Sequence, residues 1–213
     1  MNPSASIGPR LNAILELVTE AQQKEAYPCI WDCCCDHGYL GIKILSYNLC
    51  EKLVFVDQLP HIIEQLAAKI APFGTGKHEL ITADAGDLVF DSQNRHLVIL
   101  AGVGGECLIE IISKIESKHP DVQIDYIFCP SSRHKLLREY LSSLSMGLLS
   151  EQLVCDKKRC YEIIYVQGKT QTGLLPAVSL NCGLWDMDNV DHQQYLKKIN
   201  TPRASKKPKR RIK

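Results

Sequence analysis

The chain contains no apolar stretch approaching the roughly 18 residues that a membrane span requires, and Met1–Arg10 holds no charged-then-apolar leader. A soluble protein kept in the cytoplasm is therefore expected, with no membrane partner and no obligate protein partner evident. No internal repeat is visible beyond an alternation of strand-like and helix-like segments. A second closely spaced cysteine pair is also missing. Of the ten cysteines, Cys33, Cys34 and Cys35 are consecutive, too cramped for normal disulfides among themselves. Cys and His are zinc ligands, so Cys33, Cys34, Cys35 and His37 form a conceivable metal site, but structural zinc usually takes pairs spaced C-x2-4-C. The expectation is free thiols in a reducing compartment and no metal.

Acid is absent from the last eleven residues, where Arg203, Lys206, Lys207, Lys209, Arg210, Arg211 and Lys213 concentrate. Setting those seven aside from 25 basic residues leaves 18 against 24 acids, so a net charge of +1 conceals a body near −6. A basic arm on an acidic body reads as a phosphate-binding tail, the alternative being a solvated terminus. The same tract has the composition of a nuclear-import signal. With 213 residues, 45% of them hydrophobic, the chain suits one full-sized α/β domain over residues 1–168, a small appendage over 169–202 and the tail over 203–213.

Periodicity fills in the domain. Leu11, Ile14, Leu15 and Val18 share one helical face before a first strand at Cys29–Asp32, and a helix follows over Gly38–Leu49. Lys52–Val56 is a β-branched and aromatic strand ending at Asp57, followed by Ile62, Ile63, Leu66, Ala67 and Ile70 at helical spacing. Pro72 and Gly74-Thr75-Gly76 stop that helix. Glu79–Ala83, His96–Ala101 and Asp125–Cys129 read as further strands, the second almost wholly apolar, as a buried parallel strand should be. Helices are expected around Leu108–Ile115 and Leu136–Leu144. Leu148–Val154 and Tyr161–Gln167 flank a polar turn, Asp156-Lys157-Lys158-Arg159, as a hairpin. A short helix is expected at His192–Ile199. The pattern is that of a doubly wound, mostly parallel α/β sheet, Rossmann-like, with a terminal antiparallel hairpin.

Chemistry concentrates at the strand ends. Asp32-Cys33-Cys34-Cys35-Asp36-His37-Gly38 lies between strand and helix, the place where open α/β sheets bind nucleotide cofactors. S-adenosyl-L-methionine (AdoMet) carries a sulfonium, an ammonium, a ribose diol and an adenine, so its site wants carboxylates. Asp32 and Asp36 suit the two cations, His37 and Gly38 complete the loop, Asp57 can accept the ribose hydroxyls, and Asp84 can accept the adenine amino hydrogen. Any one of these acids could equally be a cap or turn residue; three at successive strand ends with this loop are more specific. Asp87 reads as a turn or capping residue. Ala101-Gly102-Val103-Gly104-Gly105 follows the fourth strand where a methyl acceptor would sit, with Cys129-Pro130-Ser131-Ser132 as a second wall. Tyr39 is a candidate clamp for a flipped base. Lys157, Lys158 and Arg159 are candidate phosphate contacts, or simply a solvated turn.

Arg10-Leu11, Asp32-x-Cys34-x-Asp36-His37-Gly38-Tyr39-Leu40, Ala101–Gly105, Pro130 with Arg138 and Leu141, and Tyr161-Glu162-Ile163-Ile164 together resemble the bacterial tRNA (adenine-N1)-methyltransferase family TrmK over roughly residues 7–167. The resemblance implies a class I methyltransferase fold, AdoMet as cofactor, and methylation of N1 of the adenine at tRNA position 22. It puts Asp36, Gly102, Gly104 and Gly105 at the reacting centre and Asp32, Asp36, His37, Gly38, Asp57, Asp84, Ala101 and Gly102 around AdoMet. Arg10 and Arg138 are candidate RNA contacts beside Lys157, Lys158, Arg159, Lys206, Lys207, Lys209, Arg210 and Arg211, with a surface salt bridge to a nearby acid as the alternative for Arg138. The chain departs from the family in having Cys34 for a glycine, Val103 for a methionine and Ser131 for an asparagine, and in a shortened C-terminal region. Two rival readings follow: the same fold acting on another RNA or a small molecule, and a non-catalytic RNA-binding protein retaining the fold.

Overall fold

A computed structural model describes residues 7–74, 76–144, 146–157, 159–168, 175–180 and 188–200. Helix α1 (Pro9–Lys24) leads into β1 (Cys29–Cys33), α2 (Tyr39–Ser46), β2 (Lys52–Asp57), α3 (Pro60–Ile70) and β3 (His78–Thr82). Then follow β4 (His96–Ala101), α4 (Gly105–Lys118), β5 (Ile124–Cys129), α5 (His134–Ser143), β6 (Gly147–Asp156), β7 (Arg159–Gln167) and α6 (Val190–Asn200). Single 3-10 turns occupy Ala71–Phe73 and Ala85–Asp87. No described helix is long and apolar enough to cross a membrane.

The seven strands form one sheet in the order β3-β2-β1-β4-β5-β7-β6. β1 to β5 run parallel, β7 pairs antiparallel with β5, and β6 pairs antiparallel with β7. The chain moves outward from β1 in one direction and returns to β4 on its other side, so the strand order reverses between β1 and β4. The crevice above that reversal is where a doubly wound sheet holds its ligand.

Alternation along the strands divides the core into two layers. Trp31, Val54, Val56, Val98, Leu100, Tyr126 and Phe128 face α4 and α5, where Leu108, Ile111, Ile112, Ile115, Leu137 and Leu141 meet them. Ile30, Leu53, Phe55, Leu97, Ile99 and Ile127 face α1, α2 and α3 through Ile14, Leu17, Val18, Leu40, Ile44 and Leu66. Each such side chain removed from water contributes about 1.5–3 kcal/mol. The segment after the hairpin joins this core: Val178 is buried in the first layer, and Leu148 donates its amide to the Pro176 carbonyl at 2.7 Å.

Several details differ from the sequence expectation. β1 and β2 each extend one residue further, α2 stops at Ser46, and β3 ends at Thr82, leaving Asp84 in the loop beyond. The hairpin is longer, reaching Asp156↔Arg159, and its register sets Cys155 directly opposite Cys160, where they form a disulfide. The expectation of free thiols holds for Cys29, Cys33, Cys34, Cys35, Cys50, Cys107 and Cys129 and is corrected for this pair.

Candidate functional site

The loop after β1 is wound tightly by local backbone demands. Cys34 and Asp36 both take left-handed conformations, with φ of 56° and 49°. Gly38 follows at 69°, and a Cβ there would come within 2.4 Å of Leu66 Cδ1. Glycine is thus required at Gly38 both for its torsion and for its clearance over α3. At Cys34, where the resembling family has glycine, a side chain is carried in that same region of torsion space at some cost.

Asp57 ties this loop to the end of β2. Its Oδ2 accepts the Asp36 amide at 3.2 Å and its Oδ1 accepts the Leu59 amide at 3.1 Å. A carboxylate offers about four acceptor positions, so Asp57 is oriented by two backbone donors and keeps capacity for two hydroxyls. Asp32 is buried beneath, its Oδ2 accepting the Gly41 amide at 3.0 Å. Burial pushes its carboxyl up to about 7, opposed by the Gly41 hydrogen bond and assisted by the negative charge of Asp57. Asp36 itself points to solvent, with His37 Nε2 3.9 Å from its Oδ1. Tyr39 is exposed at the mouth, its ring 5.5 Å from that of His37 and 5.5 Å from Lys69 Nζ.

The opposite wall comes from the loops after β4 and β5, zipped by backbone bonds. Gly102 donates to Cys129, Ser131 to Val103 and Gly105 to Ser132, at 2.9, 2.8 and 2.9 Å. Gly102 has φ of 92°, and a Cβ on it would stand 3.3 Å from an Arg10 guanidinium nitrogen. Arg10 lies over the Tyr161 ring at 5.5 Å and hydrogen-bonds the Cys129 side chain. The start of α1, the glycine loop and the start of β7 therefore meet at one point, as the order of motifs in the sequence did not reveal.

Asp84 sits differently from expectation. Its Oδ1 caps the 3-10 turn through the Gly86 amide at 2.8 Å, and its Oδ2 accepts Lys114 Nζ at 2.7 Å. The lysine, then the Gly86 amide, hold its carboxyl below the ordinary carboxylate range. Lys114 and Lys118, one helical turn apart on α4, reach Asp84 and Asp87 respectively, a spacing readable in the sequence but not connected there to Asp84.

Arg138 is the clear correction among the RNA candidates. It is 1% exposed. Its guanidinium donates to Glu162 at 2.7 Å, to Glu151 at 2.8 Å and to the Ser179 carbonyl at 2.8 Å, while Tyr195 donates to Glu162 at 2.9 Å. Lys157 and Arg159 stand exposed at the hairpin tip; Lys158 and the tail residues Lys206, Lys207, Lys209, Arg210 and Arg211 lie outside the described residues. Burial raises the thiols of Cys33, Cys34 and Cys35, Cys34 to about 12, so they stay protonated and weakly nucleophilic at neutral pH. Among the described residues no group of three or more His, Cys, Asp or Glu is arranged to hold a metal.

The residues fit AdoMet. Gly38 keeps the loop clear of a side chain, Asp57 has acceptor capacity of the kind a diol needs, and Asp32 adds a buried carboxyl of the kind a cation favours. The profile of a family described as a methyltransferase domain matches residues 7–164. The chain is similar to a "Putative tRNA methyltransferase" of Mycoplasma pneumoniae, 28% identical over 194 residues that span 90% of this chain and 86% of the relative. In structure it is similar to M. capricolum TrmK bound to S-adenosyl-homocysteine, with a TM-score of 0.75 and 20% identity, covering 92% of this chain and 84% of that one. It is also similar to the B. subtilis "M1A22 tRNA methyltransferase TrmK", with a TM-score of 0.62 and 15% identity, covering 76% and 67%.

Proposed function

Because the chain belongs to the methyltransferase-domain family, we propose that it transfers a methyl group from AdoMet to N1 of an adenine in tRNA, at the position, 22, that the name of its B. subtilis structural relative carries. The carrying observation is the Asp57 carboxylate, fixed by the Asp36 and Leu59 amides with acceptor capacity left for a diol. The reading is supported by the tRNA methyltransferases to which the chain is similar. It places the protein in the cytoplasm, with residues 1–168 as the catalytic domain, 169–202 as an appendage and 203–213 as a phosphate-seeking arm.

Asp57 would hold the ribose, Asp32 and Asp36 would face the cationic end, and Asp84, Ala101 and His37 are the remaining candidates around the cofactor. Bound there, the cofactor supplies an electrophilic methyl on sulfur. N1 of adenine already has an in-plane lone pair, so no general base is needed; the N6 proton of the cationic product leaves afterwards. The protein's contribution is alignment and shielding. Gly102 and Gly104 let a planar base approach the backbone while Gly105 packs against the Arg133 carbonyl, and Tyr39 offers a ring against which the extruded base stacks, offsetting an unstacking cost of a few kcal/mol.

The test is incubation of the purified chain with AdoMet and an unmodified tRNA transcript, followed by mass spectrometry of the nucleosides. N1-methyladenosine, lost when adenine 22 of the transcript is replaced by guanine, is the expected result. A different methylated nucleoside, or none, contradicts it.

A further inference from the structure

The hairpin stands over the glycine loop. Pairing between β5 and β7 ends at Phe128↔Ile164, at the strand end from which Ala101–Gly105 and Pro130–Ser132 emerge. Residues Arg159–Ile163 continue past that point, and at roughly 3.3 Å per residue the tip projects roughly 15 Å beyond the sheet. It does not stand alone. Tyr195 of α6 packs against Leu153 and Cys160, and its hydroxyl bonds Glu162.

One face of this projection carries Arg159 and meets Arg10 of α1. Residues two apart in a strand share a face, so Arg159 lies on the side of Tyr161, Ile163 and Tyr165, the layer that packs against α1. Tyr161 bears the Arg10 guanidinium at 5.5 Å, and Arg10 in turn borders Gly102. The other flank of the glycine loop carries Arg133, whose backbone is left-handed at φ 59° and whose carbonyl lies 2.6 Å from where a Cβ on Gly105 would be. Its side chain is 65% exposed and pairs with Glu106 at 3.3 Å, itself 63% exposed, a solvated pairing worth little. Lys157 is exposed at the tip. Arg138, buried among glutamates, supplies none of this field.

An RNA strand presents one negative charge per nucleotide, and the body of this chain is acidic, so the strand needs cations where it delivers its base. We propose that Arg159, Arg10 and Arg133, with Lys157 at the tip, form the surface that receives the RNA phosphates flanking the target nucleotide, the strand running from the hairpin tip along Tyr161 to the glycine loop. This rests on the tRNA methylation reading above. Arginine suits the role because its fork meets phosphate in two hydrogen bonds, and Glu106 is a weak competitor that phosphate displaces from Arg133.

The experiment measures tRNA binding by the full chain across a series of salt concentrations, for wild type, Arg133→Glu, Lys157→Glu/Arg159→Glu and Glu106→Gln, with AdoMet titration as the control for folding. Each charge-reversed variant should bind tRNA at least tenfold more weakly at 150 mM salt. Each should flatten the slope of log K against log salt by about 0.7–0.9 per lost contact. AdoMet affinity should hold, Arg133→Lys should keep the slope, and Glu106→Gln should bind tRNA more tightly. Unchanged slopes in the reversed variants of a chain that methylates tRNA overturn the surface alone; a wild-type chain that neither binds nor methylates tRNA overturns both the surface and the function beneath it.

Discussion

The two halves of the sheet use the same residue types to opposite ends. On the β1–β4 side, the Asp57 carboxylate is held by the Asp36 and Leu59 amides and keeps acceptor capacity, while the Asp36 carboxylate is exposed beside His37. On the β5–β7–β6 side, Arg138, Glu151, Glu162 and Tyr195 saturate one another away from water. A buried ionic cluster with its partners in place holds elements in register. An oriented acid with capacity remaining can accept further donors.

The largest effect should come from opening the closed side. Arg138→Met strands two buried carboxylates, and loss of one partner of a buried pair costs about 3–5 kcal/mol; urea unfolding should show a loss of that order. Replacing the cluster together, as Arg138→Met/Glu151→Met/Glu162→Leu, should recover most of it. A single variant as stable as wild type would mean that the cluster does not hold the hairpin.

Asp32 should behave oppositely. Its carboxyl rises from an ordinary 3.8 to about 7, so between those values the folded chain keeps a proton that the unfolded chain has released. Stability from this group is complete below about pH 4 and is lost as pH rises through 7. Asp32→Asn should therefore raise the melting temperature at pH 8 while weakening AdoMet binding several-fold, and wild-type affinity for the cationic cofactor should fall below pH 7. A variant less stable than wild type at pH 8 would contradict the burial argument.

A smaller effect is expected at His96, buried in β4, whose Nδ1 accepts the Trp31 indole N–H at 3.2 Å and whose Nε2 lies 2.9 Å from the Asp91 carbonyl. Burial lowers its pKa below 6.5, against the pull of Asp91. The folded chain prefers it neutral, so its contribution is full above pH 6.5 and declines as pH falls through the folded pKa. Unfolding midpoints at pH 7.5 and 5.5 should differ more in wild type than in His96→Gln. Least affected should be Cys155→Ser/Cys160→Ser, which opens a short loop on a hairpin already paired from Gly147 to Asp156. A loss beyond about 2 kcal/mol in thermal unfolding would be unexpected for so short a closure.

The order of strands and helices was legible because apolar spacing at periods of two and three to four is a local property, and the chain alternates cleanly between them. Asp57 was legible as the end of β2 for the same reason, whereas Asp32 lies one residue inside β1 and Asp84 two residues beyond β3. Arg138 was not. Its position beside Leu137 and Leu141 on α5 is visible in sequence, but Glu151 and Glu162 reach it only through the hairpin register. The Cys155–Cys160 pair depended on that same register, although the two cysteines flanking the turn were a usable signal. The meeting of Arg10 with Gly102 and Tyr161 joins three distant segments and has no local signature.

The central claim is that Asp57, oriented with capacity to spare, holds the cofactor. Calorimetric titration of AdoMet into wild type and Asp57→Ala tests it most directly. The lost charge-assisted acceptor is worth about 1.5–3 kcal/mol, so affinity should fall more than tenfold while the variant unfolds as cooperatively as wild type. A folded variant binding AdoMet as tightly as wild type would remove Asp57 from the site and the strand-end reading with it.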